Sequence, residues 1–134
     1  MLPREVLPAL QGVIPSTIAT ASSDGTPNVT AISQVYYVDD RHVALSNQFF
    51  GKTSQNIAGN PYAVVQLIHP ETARMWFLEL RYLRSESEGA VFEPMEMQLE
   101  AIASVQGMQD VFRLRAADIY EVLSVREARE ASAT

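Results

Sequence analysis

From Arg74 to Arg84 the chain alternates: Arg74, Trp76, Leu78 and Leu80 fall on one side of an extended backbone, and Met75, Phe77, Glu79 and Arg81 on the other. Successive side chains of a strand point to opposite faces, so the run reads as a long β-strand with one apolar side. Such a strand needs partners for its backbone groups and a cover for its apolar side. The rest of the sequence offers both. A first strand, rich in Thr and Ile, is expected over Ser16 to Ser22, followed by the turn signal Ser23-Asp24-Gly25-Thr26-Pro27. A second strand is expected over Asn28 to Val38, a turn at Asp39-Asp40-Arg41, and a third strand over Val43 to Asn47. These three read as an antiparallel meander. Tyr62 to Ile68 is almost continuously apolar, which predicts a strand buried on both faces. A last strand is expected over Val111 to Val125, with a bulge or bend at Ala116-Ala117-Asp118.

Helical periodicity appears in three places. Leu2, Val6, Leu7 and Leu10 share one face of a short N-terminal helix over residues 1–12, with Gly12 as its stop. A second short helix is predicted over residues 53–59, ended by Asn60-Pro61. A third runs from Pro94 to Gln106, or from an alternative start near Glu88, with Met95, Leu99, Ile102 and Ala103 as its buried stripe and Gly107 as its stop. Residues 126–134 are charged and small and read as a frayed tail. Strands dominate and helices close their ends, so an antiparallel, mainly β domain spanning residues 1–134 is expected. An open sheet of this kind leaves bare edges, which closure into a barrel or dimerisation would cover.

Composition narrows the function classes. The net charge is −6, which argues against non-specific nucleic-acid binding. With no cysteine, no disulfide, thiolate metal site or cysteine nucleophile is available. The two histidines, His42 and His69, lack ligand-like spacing, so no metal site is expected. There is no nucleophile elbow and no Walker loop. Asp39-Asp40 and the Glu86, Glu88 pair lie in turn-like polar stretches and read as solvated surface. No apolar run reaches membrane-span length and no signal-peptide pattern opens the chain, so a cytoplasmic protein is expected by default.

One place favours an anion. Lys52 is the only lysine among ten basic residues, and it follows a small-residue turn at the start of the second helix. A helix N-terminus with free N–H groups, a lysine and the hydroxyls of Thr53 and Ser54 suits a phosphate. Ser46 and Asn47 end the preceding strand, and Asn56 lies one turn after Thr53. Thr30 and Ile32 alternate along the second strand, where a flat ligand would lie. The same residues also fit a solvated turn lysine, a helix capped by Thr53 and a polar face at Asn56. Trp76, Phe77 and Tyr82 would stack on a ring or serve as core or interface. Arg74, Arg81 and Arg84 would serve as donors to an anion or as partners of Glu79, Glu86 and Glu88.

Taken together the motifs have a familiar order. Ile18-Ala19-Thr20, Asp24-Gly25-Thr26-Pro27-Asn28-Val29, Val43-Ala44-Leu45-Ser46, Gly51-Lys52-Thr53, Asn56-Ile57 and Asn60-Pro61-Tyr62-Ala63-Val64-Val65 follow one another over nearly the whole chain, from about Ile14 to Leu123. In that order the chain resembles the FMN-binding split-barrel family that includes pyridoxamine 5'-phosphate oxidase. The resemblance implies a split β-barrel that forms homodimers with FMN sites at the interface. It also implies a flavin ring along Asn28 to Ser33, so that Thr30, Ala31, Ile32 and Ser33 become ring-site candidates. Ser46 and Asn47 would meet the ribityl-phosphate, and Lys52 and Thr53 would hold the phosphate. The implied activity is that of a flavin-dependent oxidoreductase with an unidentified small-molecule redox substrate. The chain departs from the oxidase at Thr53, where a second basic residue is usual, and at Met75, where a glutamine commonly reaches the flavin. It also lacks the segment that grips the vitamin B6 substrate. Alternatives are a non-catalytic module binding a flavin, haem or deazaflavin, and a cofactor-free dimeric barrel.

Overall fold

The computed structural model describes residues 2–10, 15–32, 34–47, 51–105 and 114–128. A 3-10 helix, η1 (Arg4–Leu10), precedes β1 (Ser16–Ala21), β2 (Pro27–Ile32), β3 (Val35–Asp39) and β4 (His42–Asn47). Helix α1 (Lys52–Gly59), β5 (Tyr62–Ile68), β6 (Met75–Glu86), α2 (Phe92–Val105) and β7 (Ala116–Glu127) complete the chain. The strands form one antiparallel sheet in the order β2-β1-β5-β6-β7-β4-β3.

The sheet corrects the expected meander. The strand predicted over Asn28 to Val38 is two strands, and β2 and β3 lie at opposite edges of the sheet. Only Ser33 and Gln34 separate them. Three residue steps span at most about 11 Å of extended chain. The two edges therefore have to approach each other where the chain crosses, and the sheet has to roll up. Gln34 fastens that crossing, because its C=O accepts the Ser46 N–H at 3.2 Å. The molecule is a split β-barrel.

Alternation along the strands builds two cores. Ile18, Val43, Leu45, Val65, Leu67, Trp76, Leu78, Leu80, Tyr120 and Val122 fill the barrel, and Val6 and Leu10 of η1 pack into the same cluster. Ala44, Ala117 and Ile119 face outward instead and pack with Phe92, Met95 and Leu99 of α2. Strand β4 is therefore apolar and buried on both sides at Val43-Ala44-Leu45. The same was expected of β5, but there burial alternates: Ala63, Val65 and Leu67 are inside, while Tyr62 and Val64 are exposed. The difference is coverage, since α2 packs on β4 and β7 and not on β5.

Other expectations shift locally. Residues Ala116-Ala117-Asp118 pair regularly with β4, so they form no bulge. The irregularities between β6 and β7 fall instead at Glu79/Leu80 and Tyr82/Arg84. Arg126 and Glu127 end β7 and are not a tail; the Arg74 guanidinium holds Glu127 at 2.6 Å. The predicted stops at Gly12 and Gly107, the strand start at Val111, the tail at 129–134 and the side chains of Ile102 and Ala103 lie outside the described residues. Among the described residues no helix is long and apolar enough to cross a membrane.

Candidate functional site

A cavity of about 320 Å³ opens between β2, the end of β4 and the start of α1. Thr30, Ala31 and Ile32 line it from β2, Ser46 and Asn47 from β4, and Lys52 and Thr53 from α1. Seven residues singled out in the sequence are thus brought together around one space. The eighth, Ser33, lies outside the described residues. Asn28, Val29, Gly51, Ser54, Ile18, Leu45, Asp118 and Tyr120 complete the lining.

The helix end is open to a ligand. Its N-cap is Gly51, in extended backbone and with no side-chain capping bond. The first intrahelical bond runs from the Gln55 N–H to the Gly51 C=O at 3.2 Å, so the N–H groups of Lys52, Thr53 and Ser54 come before it. Thr53 is therefore not the cap. Its hydroxyl instead accepts a bond from the Asn28 amide at 3.4 Å, which ties the helix start to β2. A Cβ at Gly51 would meet nothing within 4 Å, and the backbone there is not left-handed, so neither the fold nor the local conformation demands glycine. Lys52 is exposed, forms no ion pair among the described residues, and is the one basic side chain in the lining.

The deep wall is polar in a specific way. Asp118 is half-buried, and desolvation raises its carboxyl above the usual range, opposed by bonds from Ser85 and Asn47. The Ser85 hydroxyl donates to it at 2.6 Å and the Asn47 amide at 3.3 Å. The Ser85 and Tyr82 hydroxyls lie 2.6 Å apart. Burial likewise pushes the Tyr120 phenol up. The Asn47 Oδ1 is buried and has no hydrogen-bond partner among the described residues.

Several residues considered in the sequence stand elsewhere. Asn56 does not face the same way as Thr53; it is buried and donates to the Thr20 hydroxyl at 3.1 Å, anchoring α1 on β1. Arg74 bonds Glu127 and Glu5, Arg81 bonds Glu121 at 2.9 Å, and Arg84 bonds Glu86 at 3.1 Å; none lines the cavity. Met75 also lies off the cavity, with its sulfur 3.3 Å from the Gln66 amide nitrogen. Trp76 is core, the Arg126 guanidinium sits 4.7 Å over Phe77, and Tyr82 packs edge-on against Tyr120. His42 bonds Asp39 at 2.8 Å in the β3–β4 turn. The His69 Nδ1 accepts the N–H groups of Glu71 and Thr72, closing the turn in which Ala73 has φ 61°. Asp118 was not singled out as a site residue. Its signal in the sequence is a carboxylate between the apolar Ala117 and Ile119, two residues before Tyr120.

Solved structures share this architecture at low sequence identity. An FMN-binding protein from Syntrophomonas wolfei aligns with a TM-score of 0.77 and 14% identity, over 94% of this chain and 86% of its own. An F420 reductase aligns with a TM-score of 0.63 and 15% identity, over 92% and 98%. HutZ, the haem storage protein of Vibrio cholerae, aligns with a TM-score of 0.58 and 14% identity, over 96% and 92%. No curated protein matches the sequence. These likenesses show the fold, which does not by itself choose among ligands. The family model for pyridoxamine 5'-phosphate oxidase matches residues 2–123. With all seven strands touched by that match, the chain belongs to the pyridoxamine 5'-phosphate oxidase family.

Proposed function

We propose that the chain is an FMN-binding oxidoreductase that works as a homodimer. The observation that carries this reading is the convergence of a flat β2 wall, the polar end of β4 and an uncapped helix N-terminus with Lys52 on one cavity. The residues suit FMN. Three N–H groups, the Lys52 ammonium and two hydroxyls match a phosphate monoester. The edge strand β2 meets the ring at Thr30, Ala31 and Ile32, and Ile18 and Leu45 exclude water behind it. When bound, FMN supplies the hydride and electron chemistry, and the chain's part is to bind, orient and shield it. Haem suits the lining less well. His42 opens β4 beside Asp39 and His69 closes the β5–β6 turn; neither lines the cavity, so neither is placed there as an axial ligand.

A cavity of this size is at the small end for a cofactor. Strand β2 is a sheet edge, with Val29 63% exposed, and Tyr62 and Leu123 are exposed on the sheet surface. These support a site completed by a second copy. Vitamin B6 itself is not the proposed substrate.

The test is an absorbance spectrum of the purified protein followed by titration with FMN. Fluorescence quenching that saturates near one FMN per chain, and reduction of the bound flavin by NADH or NADPH with reoxidation by an acceptor, is the expected result. No quenching would overturn the flavin reading. Tight binding with a flavin inert to reductants would leave a storage or sensing module instead.

A further inference from the structure

The turn between β5 and β6 is fastened by one imidazole nitrogen. The His69 Nδ1 accepts the Glu71 N–H at 3.1 Å and the Thr72 N–H at 3.2 Å. The backbone closes around the same residue: the His69 N–H donates to the Arg74 C=O at 2.8 Å, and the His69 C=O accepts the Ala73 N–H at 3.0 Å. Both ring bonds need a lone pair and no proton on Nδ1. The ring therefore has to be neutral, with its one hydrogen on Nε2. A protonated ring carries N–H at both nitrogens, so Nδ1 would become a third donor aimed at two donors. The turn cannot keep its shape in that state. Ala73 adds to the tension, because its φ of 61° is left-handed backbone that alanine rarely adopts and that persists only where surrounding bonds hold it.

The other histidine is wired the opposite way. The His42 Nδ1 faces the Asp39 carboxylate at 2.8 Å, and a carboxylate accepts from a protonated ring. Acid therefore leaves the β3–β4 turn bonded and acts on the β5–β6 turn alone of the two.

We propose that His69 is a pH-operated latch: neutral, it fastens the β5–β6 turn, and protonated, it releases it. Imidazole is the side chain that ordinarily changes charge between about pH 5 and 8, and His69 is half-buried, within reach of solvent protons. What the latch holds is a junction of three elements. Arg74, the last residue of the turn, bonds Glu127 at the end of β7 at 2.6 Å and Glu5 of η1 at 3.3 Å. Its guanidinium lies 5.0 Å over the Trp76 ring, and the His69 ring lies 6.5 Å from that same ring. The charged groups around the latch are thus Glu71 within the turn, Arg74, and the two carboxylates that Arg74 holds from η1 and β7. Opening the turn takes the fixed backbone from under Arg74 and loosens η1 and the end of β7. The cavity is built from β2, β4 and α1 and stands apart from this junction.

The test is 15N NMR of the full chain between about pH 8 and 5, with His69→Asn and His69→Ala beside wild type. Asparagine places an amide oxygen about where Nδ1 stands, and it accepts without titrating. At neutral pH the ring nitrogens of wild type are expected to show the His69 proton on Nε2. Amide exchange of Glu71 and Thr72 is compared with His69→Asn at each pH, so that the intrinsic effect of pH cancels. The two proteins are expected to match while the ring is neutral. Once it is protonated, wild type is expected to exchange roughly tenfold faster, the effect of losing about one hydrogen bond's worth of protection. His69→Ala is expected to exchange fast throughout. A proton on the His69 Nδ1 at neutral pH, an equal acid effect in His69→Asn, or exchange at Glu71 and Thr72 that ignores the ring's titration each overturns the proposal. Should His69→Ala fail to fold, the ring tautomer and His69→Asn still decide. No ligand enters the test, so its result stands whether or not the chain binds FMN.

Discussion

Lys52→Ala separates a phosphate site from a solvated turn. Lys52 begins α1, lines the cavity and has no carboxylate partner among the described residues. Its removal therefore strands no partner, and stability is expected to change by no more than about 0.5 kcal/mol. The effect on FMN is bounded from two sides. A unit charge about 4 Å from a phosphate dianion gains about 2 kcal/mol in a water-like medium, twice the value for a single charge. An exposed ion pair realises about 0.2–1 kcal/mol and a charge-assisted hydrogen bond about 1.5–3 kcal/mol. Lys52 is exposed yet backed by three helix N–H groups, so about 1.5 kcal/mol is a reasonable value, or roughly tenfold in affinity. Riboflavin carries no phosphate and should bind both proteins alike. Fluorescence titrations of both ligands against both proteins, repeated at high salt, complete the cycle; the FMN difference should shrink as salt rises. Equal weakening of FMN and riboflavin would mean that Lys52 serves the ring or the fold. No weakening of either would place the phosphate away from α1.

Three further outcomes follow from local geometry. Gly51→Ser should leave stability unchanged or raise it by a few tenths of a kcal/mol, because serine is a good N-cap and its Cβ meets nothing. The same hydroxyl would compete for the helix N–H groups, so FMN affinity should fall; thermal melting and titration together show the split. Asn56→Ala removes the buried bond to Thr20 and should lower stability by about 1–3 kcal/mol, read as a fall in the denaturation midpoint. Asp24 accepts bonds from Ser22 and Thr26 in the β1–β2 turn, which lowers its pKa from 3.8 to about 2. A lowered native pKa means that the unfolded chain binds more protons between those values, so stability rises with pH across that window and is fully present above it. Asp24→Asn should remove that rise, which denaturation midpoints measured through the window would detect; an unchanged slope would show that the turn bonds do not persist in solution.

Much of the site was legible because it depends on local signals. Small residues, one lysine and adjacent hydroxyls at a helix start are visible in sequence, and the strand end at Ser46-Asn47 is marked by its loss of apolar character. The long alternating run of β6 was equally plain, and its buried side is the one the pattern implied. What failed was long-range. Nothing local distinguishes a strand continuing through Ser33-Gln34 from one that ends there and restarts at the far edge, because both are extended. Burial on both faces was assigned to β5 rather than β4 because that depends on where α2 lands, which hydropathy does not encode. Asn56 turns away from the Thr53 side because its environment is set by Thr20 on a strand distant in sequence. The place of Asp118 is not legible locally for the same reason, since its partners come from β4 and β6.

The crossing at residues 33–34 links these errors to the site. Because it is so short, the edge strand β2 has to end beside β4, which is where Gln34 meets the Ser46 N–H. The wall Thr30-Ala31-Ile32 is thereby set opposite Ser46 and Asn47, and α1, which follows β4 after a few residues, is brought to the open end between them. The Asn28 bond to Thr53 closes the arrangement from the other side, and the Asn56 bond to Thr20 holds the helix down on β1. Closure of the barrel and assembly of the cavity are therefore one event. The two side-chain bonds of α1 and the fixed crossing keep the wall and the anion end in register, while the first helix N–H groups and Lys52 have no partner among the described residues. A set of donors without partners among the described residues, held in place by bonds that folding does satisfy, is the physical basis for reading this cavity as a cofactor site.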